Sequence, residues 1–167
     1  MTVLPKVSIV VPVYNQVDYL EDTLRSVLDQ GYPNLELIVM DGGSTDGTVD
    51  VIERFKSRIF YRESVADQGQ THAISKGLAL SNGDLFNWLN GDDMLVEGSL
   101  LSMASHWLKL GKPAMVYGRA DKVDENGRCI KRGLFRCFDK RLLRDLYYIT
   151  QPSCFYARDA VIRAGGV

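Results

Sequence analysis

Val7-Ser8-Ile9-Val10-Val11-Pro12-Val13 runs straight into Tyr14-Asn15, and this boundary decides the fold. The first seven residues are β-branched and apolar almost throughout, as in a strand buried on both faces of a parallel sheet. The run is short and broken by Pro12, so it does not read as a signal peptide. No stretch approaches the roughly 20 apolar residues of a transmembrane helix. Working outward, Val17, Leu20, Leu24, Val27 and Leu28 recur at helical spacing and stop near Gly31-Tyr32-Pro33. Residues 35–40 read as a second buried strand that ends in Asp41-Gly42-Gly43-Ser44. Ser44 or Asp46 then caps a helix facing inward through Val49, Ile52 and Phe55. Residues 59–61 predict a short strand, and Ile74, Leu78 and Leu80 a helix. Leu85, Phe86, Trp88 and Leu89 predict a strand. Leu100, Leu101, Ala104, Trp107 and Leu108 predict a helix, with a strand over 115–117 behind it. Strands alternating with helices of this length predict an α/β layered domain, its sheet mostly parallel and helices on both faces.

After Gly118 the texture changes. Asp124-Glu125-Asn126-Gly127 reads as a hairpin turn, residues 129–149 are basic, aromatic and irregular, 151–156 predict a strand and 158–164 a helix. No repeat or linker divides residues 1–167, so one domain is expected. A formal net charge of -1 gives no global basic field, so nucleic acid is not an expected partner and any phosphate must be handled locally. Cys129, Cys137 and Cys154 are odd in number and lack C-x-x-C spacing, which fits reduced thiols in a cytoplasmic protein.

Ligands of open α/β sheets collect beyond the carboxyl ends of the strands. Three polar clusters fall there: Pro12-Val13-Tyr14-Asn15, Asp41-Gly42-Gly43-Ser44-Thr45-Asp46 and Asn90-Gly91-Asp92-Asp93. Tyr14 and Asn15 either turn the chain or offer a stacking ring with a polar edge. Asp41 is either part of a glycine-rich turn or an acceptor for a base N–H, with Gly42 letting backbone approach the ligand. Asp92 and Asp93 are either a solvated turn or a seat for Mg²⁺ or Mn²⁺, hard cations that keep positions open for phosphate oxygens. At about 4 Å, two like charges repel by roughly 1 kcal/mol in water and several-fold more in a cleft, a cost a cation reverses. Asp67-Gln68-Gly69-Gln70 opens a helix whose amides favour an anion, although a simple cap accounts for Asp67 equally well. Lys76 on that helix is either solvated or a phosphate or ribose contact. His72 has no triad partner or metal-ligand spacing. G-x-S-x-G, P-loop and G-x-G-x-x-G strings are all lacking.

Together these stretches resemble family 2 of the inverting glycosyltransferases, which have the GT-A fold. The matching strings are V-S-I-V-V-P-V-Y-N (7–15), L-E-L-I-V-M-D-G-G-S-T-D-G-T (35–48), D-Q-G-Q-T-H-A-I-S-K-G (67–77) and G-D-L-F-N-W-L-N-G-D-D (83–93). Q-P-S-C-F-Y-A-R (151–158) resembles the family's acceptor-side segment. The resemblance implies a nucleotide-sugar-binding half over 1–118 and a partial acceptor-side half over 119–167. Pro12, Val13, Tyr14, Asn15 and Gly42 would line the nucleotide site, and Asp41 would read a base, usually uracil. Gln70, Lys76 and Asn90 would border nucleotide and sugar. Asp92 would face ribose and sugar, Asp93 would hold Mn²⁺ or Mg²⁺ in a D-x-D-like motif, and Gln151 would approach the acceptor.

The implied activity is metal-dependent transfer of a hexosyl group from a nucleotide-diphosphate sugar, usually a UDP-sugar, to an acceptor hydroxyl. The acceptor would be a carbohydrate or lipid-linked, in bacterial polysaccharide or glycoconjugate synthesis. The setting would be the cytoplasm, with peripheral association at the inner face of the membrane. His72 departs from the family pattern. The family's general base follows a G-G-hydrophobic string, here Gly165-Gly166-Val167, so no base is assigned and truncation before that segment is expected. The alternative is a nucleotide-sugar-binding module without turnover.

Overall fold

The computed structural model describes residues 3–167. Its central sheet has the order β3-β2-β1-β4-β8-β5, formed by β1 (Val7–Val13), β2 (Leu35–Asp41), β3 (Tyr61–Ser64), β4 (Leu85–Trp88), β5 (Met115–Tyr117) and β8 (Cys154–Ala157). The first four strands are mutually parallel, whereas β8 is antiparallel to both β4 and β5. A separate hairpin pairs β6 (Lys122–Val123) with β7 (Cys129–Lys131), as the Asp124–Gly127 turn signal predicts.

Burial on both faces explains the unbroken apolar run of β1. Val7, Ile9, Val11 and Val13 pack with α1 (Leu20–Leu28), α2 (Thr48–Arg54) and α4 (Ser99–Lys109), while Val10 joins Ile38, Met40, Phe86 and α3 (Gln70–Leu80) on the other face. A Cβ on Gly77 of α3 would stand 2.5 Å from Val10, so the bare backbone lets this helix sit close on the sheet. The last two helices are α5 (Lys140–Asp145) and α6 (Arg158–Arg163).

Four local expectations change. The third strand lies at Tyr61–Ser64 instead of 59–61, because as an edge strand it alternates half-buried with exposed residues and carries little apolar signal. In α2 the buried position is Val51, and Val49 is only half-buried. Ser44 does not cap α2. The cap position is Gly47, and the Asp46 carboxylate accepts from Thr48 N (2.9 Å) one residue earlier. Residues 151–153 form a 3-10 turn, so the strand begins at Cys154.

Candidate donor cleft

The chain places β2 and β3 on one side of β1 and β4 on the other, so the switch point lies between β1 and β4. There the ladder from β1 to β4 ends at Val10. Along a parallel strand, backbone groups face alternate neighbours; the Val10 carbonyl accepts from Leu89 N, on the β4 side. Pro12, two residues on, turns its nitrogen to the same side, where the partner strand has run out. A residue without an N–H is therefore tolerated in a central strand, and the gap beside it is the mouth of a cleft. The cleft measures about 660 Å³, and its wall includes Pro12, Val13, Tyr14, Gly42, Asn90 and Asp92.

The β1 and β2 loops are tied together. Asn15, in the left-handed region at φ 50°, donates through its backbone N to Ser44 Oγ (2.8 Å) and accepts at Oδ1 from Thr45 N (2.9 Å). Asp41 is 3% exposed. Its Oδ2 accepts from Gly43 N (3.1 Å), Ser44 N (3.0 Å) and Ser64 Oγ (2.6 Å), and its Oδ1 accepts from Ser44 Oγ. This carboxylate is saturated from within and is not part of the cleft wall. Tyr14 lies in the wall and is 61% exposed.

On the opposite wall, Asp92 is exposed to the cleft and Asp93 is half-buried. Gln70, the first residue of α3, donates to Asn90 Oδ1 (2.7 Å), and Asn90 Nδ2 donates to Asp93 Oδ2 (3.0 Å). Thr23 of α1 pins the loop by donating to the Gly91 carbonyl (2.9 Å), and a Cβ on Gly91 would stand 3.0 Å from Val13 Cγ2 and displace the Gln16 side chain. Desolvation, reinforced by the neighbouring Asp92 charge and partly offset by the Asn90 hydrogen bond, raises the Asp93 pKa above its ordinary value.

Such a carboxylate suits a divalent cation, which relieves both the burial and the repulsion. Among the described residues no three His, Cys, Asp or Glu side chains gather as a metal site. A cation at Asp93 would therefore draw most of its oxygens from phosphate, as a hard ion with open positions does.

Lys76 pairs with Glu63 and does not line the cleft. That hydrogen-bonded pair holds the Glu63 carboxyl below and the Lys76 ammonium above its ordinary pKa. Gln151 sits at the same sheet edge, because β8 runs antiparallel to β4, and donates to the Trp88 carbonyl (2.5 Å). Gln16, Ala66 and Ala73 are wall residues that no motif marks, whereas Asp67 and Gly69 of the wall belong to the 67–70 helix opening that the sequence does mark. The shift of β3 to Tyr61–Ser64 makes Val65 and Ala66 the start of a strand-end loop that runs into the 67–70 helix opening. In that loop Asp67 accepts from Gly69 N (2.7 Å), and a Cβ on Gly42 would lie 3.3 Å from its carboxylate. Asp67 thus organises the turn ahead of Gly69, the cap residue of α3. The three cysteines are free, and burial pushes the Cys154 thiol up, leaving it a poor nucleophile.

A mostly parallel sheet with a polar crevice at its switch point defines the class: an α/β protein whose ligand sits beyond the strand ends. The chain belongs to glycosyl transferase family 2, whose family model matches residues 8–163. An uncharacterized glycosyltransferase of Rickettsia conorii is 32% identical over 130 residues, 75% of this chain and 21% of that protein. TuaG of Bacillus subtilis, a putative teichuronic acid biosynthesis glycosyltransferase, is 38% identical over 94 residues, 53% of this chain and 36% of that protein. The chain thus spans well under half the length of these two curated relatives. Among solved structures, TarS of S. aureus in complex with UDP-GlcNAc superposes with a TM-score of 0.77 at 20% identity, covering 96% of this chain and 47% of that one. The mannosyltransferase PcManGT of Pyrobaculum calidifontis, in complex with GDP-Man and Mn²⁺, gives 0.72 at 22% identity, covering 99% and 48%. The fold is GT-A. Among the described residues no helix is long and apolar enough to cross a membrane.

Proposed function

We propose that this chain carries the donor-binding half, residues 1–118, and part of the acceptor side, residues 119–167, of an inverting, metal-dependent hexosyltransferase that uses a UDP-sugar. The observation behind this reading is Asp92 lining one cleft with Tyr14 and Gln70, the first residue of α3, and the half-buried, under-satisfied Asp93 directly behind it. Tyr14 stacks on the base, Gly42 leaves room for its edge, and the first-turn amides of α3 with Gln70 meet the anionic diphosphate. Asp92 faces ribose and sugar, and Asp93 holds the cation in the orientation Asn90 sets. Mn²⁺ or Mg²⁺ bound there supplies Lewis-acid stabilisation of the departing diphosphate. Asp41 acts on the donor through the loop it organises. Gln151 and the turn after it face the acceptor, whose hydroxyl displaces the diphosphate in one inverting step that needs no enzyme nucleophile.

The names of the relatives support this reading: UDP-GlcNAc in TarS for the nucleotide, Mn²⁺ in PcManGT for the cation, and teichuronic acid biosynthesis in TuaG for a bacterial polysaccharide setting. Calorimetry with UDP and GDP, with and without Mn²⁺ or Mg²⁺, tests it. UDP should bind in a metal-dependent manner and more tightly than GDP. Tighter GDP binding would overturn the uracil assignment, and metal-independent binding would overturn the role of Asp93.

A further inference from the structure

Residues 128–147 depart from the rest of the chain in charge and exposure. They hold seven of its 20 Lys and Arg (Arg128, Lys131, Arg132, Arg136, Lys140, Arg141, Arg144) and two of its 21 Asp and Glu (Asp139, Asp145). This stretch carries a formal +5 in a chain of net -1, leaving -6 on the remainder. Among the described residues only Arg144 of the seven is ion-paired, to its neighbour Asp145. Large apolar side chains alternate with the cations and stay in solvent: Ile130 is 69% exposed, Phe138 61% and Tyr147 81%, with Leu134, Phe135, Leu143 and Leu146 beside them. Helix α5 buries none of its side chains.

The segment is nonetheless held in place. Tyr117 Oη, at the end of β5, donates to the Arg136 carbonyl (2.9 Å) and its ring meets Phe135 at 6.0 Å. Asp139 N donates to the hydroxyl of buried Tyr148 (2.8 Å). Its path leaves the sheet after β5 and returns through Gln151, and both points lie on the edge that carries the cleft.

We propose that residues 128–147 form a docking surface for an anionic lipid bilayer. Unpaired cations draw the surface to anionic headgroups, and tethered aromatic and aliphatic tips enter the interface below them. The aliphatic members decide for lipid over nucleic acid: Ile130, Leu134, Leu143 and Leu146 offer a phosphate backbone or a base face nothing, whereas each gains by leaving water for the acyl boundary. Docking here would turn the Gln151 side of the cleft toward the headgroups, where a lipid-linked acceptor stands. The docking itself is independent of the catalytic reading.

The test is co-sedimentation of the full 167-residue chain with vesicles. Phosphatidylcholine alone is compared with an equimolar phosphatidylcholine–phosphatidylglycerol mixture, at low and high salt. Binding should require phosphatidylglycerol and weaken as salt rises. Lys140→Glu/Arg141→Glu/Arg144→Glu should weaken it on the order of a hundredfold, each near-surface cation contributing about fivefold. Phe138→Ser/Tyr147→Ser should remove the part that survives high salt. Both variants alter exposed side chains, so an unchanged thermal melt and unchanged UDP binding are expected alongside. No binding to the mixed vesicles, equal binding to pure phosphatidylcholine, or retention by the charge-reversed variant would each overturn the proposal. So would single-stranded RNA binding more tightly than the vesicles at equal salt, or self-association of the chain that the charge reversal abolishes.

Discussion

Two acidic loops end neighbouring strands of the same sheet and differ in one respect. Asp41, at the tip of β2, is buried and accepts from Gly43, Ser44 and Ser64. Beyond β4, Asp93 has one side-chain donor, Asn90, and is repelled by the neighbouring Asp92 charge. A carboxylate whose partners all come from its own fold is architecture. One that is half-desolvated and short of partners holds its charge for something else. On the proposed reading, the first loop holds the cleft open and the second takes the ligand.

The largest test of that contrast is Asp93→Ala. Metal-dependent UDP binding should fall at least about a hundredfold, since even orienting residues around a metal cost 10–100-fold, while the melting temperature without ligand stays level or rises. Calorimetry and a thermal melt check both halves. Asp41→Ala should do the reverse in stability, lowering it by about 2–4 kcal/mol in denaturant titration, because four donors lose a charged acceptor. It should weaken UDP binding with and without metal; a normal denaturation midpoint would erase the distinction between the loops.

The third test uses pH. The folded pKa of Asp93 is raised, so the ionised group costs stability at pH above that value, and the cost disappears as pH falls through it. Metal-dependent binding should therefore fade on acidification at a pH above the ordinary aspartate value of 3.8, while the stability gap between Asp93→Asn and the parent closes over the same range. Asn90→Ala should cost about tenfold in metal-dependent affinity, as loss of an orienting partner does. Smallest is Lys76→Ala, whose ammonium is occupied by Glu63; a change in UDP affinity beyond about threefold would return Lys76 to the diphosphate.

Much of this arrangement is legible in the chain. The apolar run of β1, the helical spacing of α1, α3 and α4, and the three polar clusters at strand ends follow from periodicity and turn chemistry. Less regular elements were harder to place. β3 is a half-exposed edge strand with little apolar signal, so its position and the role of Ala66 in the cleft wall are not legible, although the helix opening at 67–70 is. The periodicity of α2 could not choose between Val49 and Val51, because only its tilt on the sheet selects the buried one. Asp41 and Asp93 look alike as strand-end aspartates, and nothing in their flanking residues predicts Ser64 Oγ reaching the one or the half-burial of the other.

By itself the sequence determined that the chain makes a mostly parallel α/β sheet and that acidic and aromatic residues gather beyond its strand ends, because both follow from local pattern and chain direction. Only the tertiary structure decided which carboxylate is spent on the fold and which is left free. Each loop supplies donors of its own, Gly43 and Ser44 for Asp41 and Asn90 for Asp93. But Ser64 of β3 completes the shell of the first and Gln70 of α3 orients Asn90 beside the second, contacts no local pattern encodes.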